Sequence, residues 1–283
     1  MSWQILMLIS VVTYSFSILL QRILLKENTS DPKAFSALFA AITGLCIGVF
    51  GFMTADMRLP ALGPILPNFV LMIVLYAMGG FLFSTALKHV EVSFLTILFS
   101  SRALFNILAS TLFLHEGLQG KQYIGTFLIL LSIVLVNLKS TKISFGKYAW
   151  VALLAALFYG VQTTNDRYLL QTFSLYPYVS LAFLLPAILL ACTDRHIVKH
   201  MQPLLKKNMV GKLILSCAIY ALSAITFFAA LQISPNSSQV ASVNVSSVIL
   251  TVILGMVILK ERGNGIKKVI GAVLSTIGLL LVV

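Results

Sequence analysis

The sequence predicts an all-α integral membrane protein of ten transmembrane helices, arranged as two inverted five-helix repeats around a central cavity. Three observations carry this. Of the 283 residues, 59% are hydrophobic and 10% are charged, and the mean hydropathy is +1.00; a soluble domain carries about 25% charged residues. Apolar runs near the roughly 20 residues needed to cross a bilayer fill nearly the whole chain. The chain also repeats itself at a constant offset.

The spans read as 3–25, 34–54, 68–87, 92–114, 121–138, 148–170, 176–193, 210–231, 237–259 and 266–283. They are about twice the length of membrane β-barrel strands and do not alternate in polarity, which leaves helices. The first span lacks a basic leader and a small-x-small cleavage site, so it is a structural helix rather than a secretory signal. No stretch is left for a soluble catalytic domain.

The formal net charge of +12 does not indicate nucleic acid, because the basic residues are sorted by loop. Sixteen of the twenty Lys and Arg fall in loops on one side of the membrane, including Arg22, Lys88, Lys147, Arg195 and Lys260. The other side holds Arg58, Lys121 and Arg167. The positive-inside rule makes the richer side cytoplasmic and puts both termini outside. The setting this implies is the inner cell membrane. Cys46, Cys192 and Cys217 form no CxxC pair and read as small buried hydrophobes.

The internal repeat has a spacing near 145. Tyr14 corresponds to Tyr159, Arg22 to Arg167, Pro32 to Pro177 and Glu116 to Glu261. The third and eighth spans match at 144, pairing Tyr76 with Tyr220 and Phe83 with Phe227. The repeats are therefore 1–138 and 148–283, joined by the polar linker 139–147. Five spans is an odd number, so the second repeat enters the membrane from the opposite side. Inverted repeats of this kind support alternating access to a site near the midplane.

With ten spans in a 5+5 duplication, "LHEG" (114–117) and "LKERG" (259–263), each followed by a Gly-containing helix, the chain resembles the drug/metabolite transporter superfamily, EamA type. The resemblance covers essentially the whole chain. It implies that helices one to four and six to nine surround a cavity, that helices five and ten are peripheral, and that the cargo is a small metabolite. Related small multidrug resistance proteins carry a glutamate in the first helix; here that helix offers Tyr14, Ser15, Ser17 and Gln21 instead.

Arg102 lies in the middle of the fourth span. An arginine there costs about 2.5–3.5 kcal/mol on insertion scales, so it faces the bundle interior or a wet cavity. No mid-membrane carboxylate is expected to pair with it, since Asp166, the nearest, sits in a last helical turn beside Arg167. Two readings stay open: a grip on a substrate carboxylate or phosphate, which guanidinium binds bidentately, or a tie to carbonyls and hydroxyls that locks two helices. Asn106 shares its face at i+4. In the ninth span, Asn236, Asn244, Ser247 and Thr251 point one way, and Ser246 or Ser247 is the repeat partner of Arg102. In the sixth, Tyr159, Gln162, Thr163 and Asp166 share a face. The expected substrate-binding set is Arg102, Asn106, Tyr14, Tyr159, Gln162, Tyr76, Tyr220, Asn244 and Ser247.

Gly44 and Gly48 form GxxxG, a close-packing pattern that is also compatible with a homodimer. Pro186 should kink the seventh span. There is no phosphate-binding GxxxxGK[ST] loop, no HExxH or GxSxG, and His196 and His200 sit in a basic loop. No enzyme activity, metal or other cofactor is expected. The expected partners are a small-molecule substrate, amino acid, nucleoside-like or otherwise anionic or zwitterionic, and the lipid bilayer. A lipid translocase or an accessory membrane subunit of the same fold is the alternative.

Overall fold

The structure is a computed structural model that describes residues 2–26, 30–114, 120–139, 142–143, 146–234, 237–261 and 265–282. The chain runs through α1 (Trp3–Leu25), α2 (Pro32–Thr54), α3 (Leu66–His89), α4 (Val92–Phe99), α5 (Arg102–Leu114), α6 (Gly120–Asn137), α7 (Lys147–Leu169), α8 (Leu175–Cys192), α9 (Ile197–Met201), α10 (Lys207–Ile233), α11 (Ser237–Ile258) and α12 (Gly265–Val282). Among the described residues, six helices are long and apolar enough to cross a membrane, α4 and α5 counting as one.

Every predicted span is helical, and among the described residues twelve α-helices stand where ten spans were expected. α9 is an extra short helix in the basic loop, and the fourth span is broken. The break has a chemical cause. Ser100 and Ser101 donate their hydroxyls to the carbonyls of Ile97 (2.6 Å) and Leu98 (2.7 Å), competing with the backbone for helical acceptors. The main chain tightens there into i→i−3 bonds, Ala103 N to Ser100 O (3.1 Å) and Leu104 N to Ser101 O (2.9 Å). Adjacent serines are a recognised site of helix kinks. Ser275 of α12 buttresses the break through a 2.7 Å hydroxyl contact to Ser100.

Helix ends are set by local signals. Asp31 caps α2, accepting the Ala34 N–H at 2.8 Å ahead of Pro32 in the first turn, a pairing that satisfies an orphan donor. Arg22 donates to the last carbonyls of α3, those of Leu87 and Lys88. Its repeat partner Arg167 does the same for α10, at Leu231 and Ser234. A cation at a helix C-terminus meets both its unpaired carbonyls and its dipole.

α1 packs on α10, α3 on α7, α2 on α8 and α6 on α12; α1 also meets α11, and α4 and α5 meet α7. These main pairings are unchanged when the two halves of the chain are exchanged. The α1–α10 seam is closed by reciprocal hydroxyl-to-carbonyl bonds, Ser10 with Ser223 (3.0 and 2.9 Å) and Ser17 with Ser216 (3.0 and 3.2 Å). In the α3–α7 seam, Asn68 and Asn165 bond reciprocally (2.8 and 2.9 Å). Small and amide residues let membrane helices approach closely.

The glycine stripe of α2 serves internal packing. A Cβ at Gly44 would lie 2.8 Å from Leu184, at Gly48 2.8 Å from Ser180 and at Gly51 2.6 Å from Tyr176, all on α8. α8 runs unbroken through Pro186. His200 meets the Asp194 carboxylate at 3.1 Å, and Asp194 also accepts the His196 N–H. That backbone donor, ahead of His200, holds the Asp194 carboxyl below the usual carboxylate range. These histidines thus close a turn.

The apolar core is divided. One cluster, including Ile18, Phe35, Leu87, Leu95 and Leu213, gathers the late turns of α1 and α3 with the early turns of α2, α4, α7 and α10. A second, including Met7, Ile47, Met72, Leu169, Tyr178 and Phe228, gathers the opposite ends, and a small third joins Ala34, Ala37, Ala77, Leu190 and Ile197. Polar and aromatic side chains occupy the waist between the first two.

Candidate functional site

Two adjoining lobes open from the waist, with about 660 Å³ and 840 Å³ of space when the open solvent at their mouths is included. Arg102, Tyr14, Tyr76, Tyr159, Tyr220 and Phe183 line both. Gln21, Ser84 and Gly80 line only the first lobe, and Asp166, Asn106 and Asn244 only the second. Gln21 and Ser10, which line different lobes, are eleven residues apart on α1, about 16 Å along the axis.

The broken helix places Arg102 at the waist. The fourth span is the most enclosed of the six, 72% buried against 39–50% for the others. At its break α7 comes in close: a Cβ at Gly160 would lie 2.5 Å from the Arg102 carbonyl and 2.6 Å from the Phe105 Cβ, so only glycine fits. The guanidinium donates to Asn244 Oδ1 of α11 at 2.5 Å and lies 4.9 Å from the centre of the Phe99 ring. Among the described residues no carboxylate forms an ion pair with it. A guanidinium has five donors, so the amide leaves most of them available to the cavity.

The tyrosines stand as two pairs related by the repeat. Tyr14 and Tyr220 have ring centroids 6.1 Å apart, and Tyr159 and Tyr76 5.8 Å. Phe83 and Phe99 extend the Tyr159 side at 6.4 and 5.3 Å; Phe39 and Phe183 extend the Tyr220 side at 5.1 and 5.8 Å. The wall is aromatic, with its rings tilted or edge-on to one another.

Of the nine expected residues, seven meet at the cavity: Arg102, Asn106, Tyr14, Tyr159, Tyr76, Tyr220 and Asn244. Asn106 is held by Gly160 O (3.3 Å) and Thr164 Oγ1 (3.2 Å), and so ties α5 to α7. Gln162 does not line either lobe; it is fully buried and donates to Asp166 at 2.6 Å. Ser247 lines a small adjoining void with Tyr14, Thr96 and Arg102. The side chain of Ser246, and Glu116 and Asn236, lie outside the described residues.

The largest correction concerns Asp166. Sequence reading discounts it as a helix-end residue, yet it is 1% exposed and lines the second lobe. Its Oδ2 accepts from Tyr76 at 2.7 Å, and its Oδ1 accepts from Gln162 and from Tyr178. The neighbouring arginine turns away to cap α10. Phe183 was also missed. Its signal lay in the seventh span, where α8 is apolar enough to read as uniform packing.

A second missed contact ties the halves together. Lys260 ends α11 in a left-handed conformation, φ 54°, which turns Glu261 back onto the start of α4. There the carboxylate accepts the N–H groups of Val92 (2.7 Å) and Ser93 (3.1 Å) and the Ser93 hydroxyl. Lys268 of α12 bonds Glu91 beside it.

A sequence model of the EamA-like transporter family matches residues 1–138 and 146–283. This chain belongs to the EamA-like transporter family. It is accordingly an integral membrane protein of a family of transporters rather than enzymes. A solved structure titled only as the crystal structure of a protein is similar to it, with a TM-score of 0.72 at 16% identity, covering 99% of this chain and 95% of that one; it shows the fold alone. No curated protein matches. In this EamA-like chain the glutamate of the "LKERG" stretch is the cap on α4, which gives that short motif a structural reason.

Proposed function

We propose that the protein is a secondary carrier or facilitator for a small organic solute bearing a carboxylate or phosphate, working by alternating access in the inner cell membrane. The observation that carries this is the guanidinium of Arg102 at the waist of a two-lobed cavity, bonded to the Asn244 amide but, among the described residues, to no carboxylate. Such a group attracts one anionic function and repels cations, while the four tyrosines offer stacking surface and hydroxyls to the rest of the solute.

The inverted-repeat reading, with ten spans in repeats 1–138 and 148–283, draws support from how the lobes are lined. Gln21, Gly80, Phe83 and Ser84 line the first lobe. Their repeat partners Asp166, Ala224, Phe227 and Phe228 line the second. The residues common to both lobes include two repeat-related tyrosine pairs. A pseudo-two-fold axis through the waist thus exchanges the lobes, the geometry required if one packing opens inward and its mirror opens outward. Charge sorting puts the Gln21 lobe on the cytoplasmic side.

The test begins with a thermal-shift screen of purified protein against amino acids, nucleosides and phosphate esters, followed by counterflow of the stabilising compound in proteoliposomes. Arg102→Ala and Arg102→Lys should lower uptake by at least about tenfold, since a hydrogen bond to a charged group contributes about 1.5–3 kcal/mol, while leaving insertion and melting unchanged. Equal uptake in both variants removes Arg102 from the site. Scrambling of fluorescent lipids without solute flux would replace this reading with lipid translocation.

A further inference from the structure

Asp166 is an ionisable group in a place that needs a reason. It is almost wholly buried, it borders the second lobe, and its repeat partner on the other side of the cavity is the neutral Gln21, whose amide donates to Ser17 Oγ at 3.3 Å. Among the described residues, the following groups face it. From α3 comes Tyr76, from α8 Tyr178, and from its own helix Gln162 and, near it, Tyr159. α10 offers the apolar Phe228. Arg102 of α5 stands across the lobe bound to Asn244, and Arg167 is committed to the carbonyls of Leu231 and Ser234. No cation neutralises the carboxylate among the described residues. Three neutral donors hold it instead. An ionised carboxylate within a membrane protein is expensive and marks ion or proton pathways.

We propose that Asp166 is a proton-binding site, and that a proton there hands the Tyr76 hydroxyl to the cavity. The balance is simple. The ionised carboxylate accepts from Tyr76 at Oδ2, so the phenol proton is committed. A proton bound at Oδ2 makes the carboxyl a donor; the Tyr76 oxygen then accepts, and its own O–H turns toward the lobe it lines. Oδ1 keeps its bonds from Gln162 and Tyr178. Tyr76 borders both lobes beside Arg102, so the released donor falls where an anionic solute group is expected. Proton and anion then favour one another's binding, which is the basis of symport. Because Gln21 does not titrate, the cavity offers one such proton, on the outer side as the charges sort. The coupling role rests on the carrier reading; the proton site does not.

The experiment therefore uses the proton alone. Infrared difference spectra of the purified protein are recorded between neutral and mildly acidic buffer. A protonated-carboxyl C=O band should appear on acidification together with a shift of a tyrosine C–O band. Asp166→Asn should lose both, and Tyr76→Phe should keep the carboxyl band and lose the tyrosine shift. The second variant keeps the idea testable if the first fails to fold. A carboxyl band that survives in Asp166→Asn, no carboxyl band in the unmodified protein, or a tyrosine shift that survives in Tyr76→Phe overturns the proposal. None of these spectra needs a solute, so a negative result here leaves the carrier to be judged by counterflow, and failed counterflow leaves the proton site standing.

Discussion

Arg102 and Asn244 show how little separates a binding group from a structural tie. Each comes from the matching span of its own repeat, and their hydrogen bond crosses the waist. An amide is a weaker claimant on a guanidinium than a carboxylate, which brings an opposite charge and can accept two parallel N–H bonds. A carboxylate on a solute would displace it. Asn244→Asp would supply that carboxylate from within. The variant should melt higher than the parent and lose the thermal shift given by anionic ligands; an anion-induced shift of undiminished size would show that Arg102 does not serve the ligand. The sequence announced Arg102 and the tyrosines clearly, since a permanent charge or a matched polar residue inside an apolar run has few reasons to exist. It hid Asp166 because helix ends are where acids normally sit, and the partners Tyr76 and Tyr178 are 90 and 12 residues away along the chain.

At the scale of elements, apolar runs located every long helix but not the short α9, and the boundaries differ by only a few residues. What periodicity did not reveal was the interruption between α4 and α5. Hydropathy averages over a window, whereas the break comes from two hydroxyls that compete for carbonyls within one turn. The cap on α4 was equally invisible, since Glu261 reaches it from across the fold. Lys260 bears the conformational cost of that reach. A left-handed backbone costs a residue with a Cβ about 1–2 kcal/mol relative to the right-handed form, and glycine escapes it. Lys260→Gly should thus raise the melting temperature by a few degrees with uptake unchanged, as read by a thermal melt of the purified protein. A lower melting temperature would mean that the lysine side chain itself holds the turn.

On the scale of the whole molecule, the sequence suggests a duplication because the markers Arg22 with Arg167 and Tyr14 with Tyr159 are polar or aromatic and keep one offset. Their roles were not legible, because capping another helix or pairing with a ring is a property of the packed bundle. Arg22 and Arg167 do equivalent structural work, each closing the C-terminal end of another helix. Within the cavity the halves differ at Gln21, whose counterpart in the other lobe is Asp166. That is the expectation for a symmetric frame around an asymmetric cargo.

The reciprocal serine bonds between α1 and α10 have a mechanical corollary. Bolted at two levels, those helices swing as one strut, as do α3 and α7 through their asparagines, and each strut borrows one member from either repeat. Any rocking is then strut against strut, never one repeat against the other. A disulfide bridging Ser10→Cys and Ser223→Cys, whose hydroxyl oxygens are 3.2 Å apart, should accordingly leave counterflow intact once Cys46, Cys192 and Cys217 have been replaced by alanine. Flux abolished by that bridge and restored by reductant would place the hinge within the strut itself.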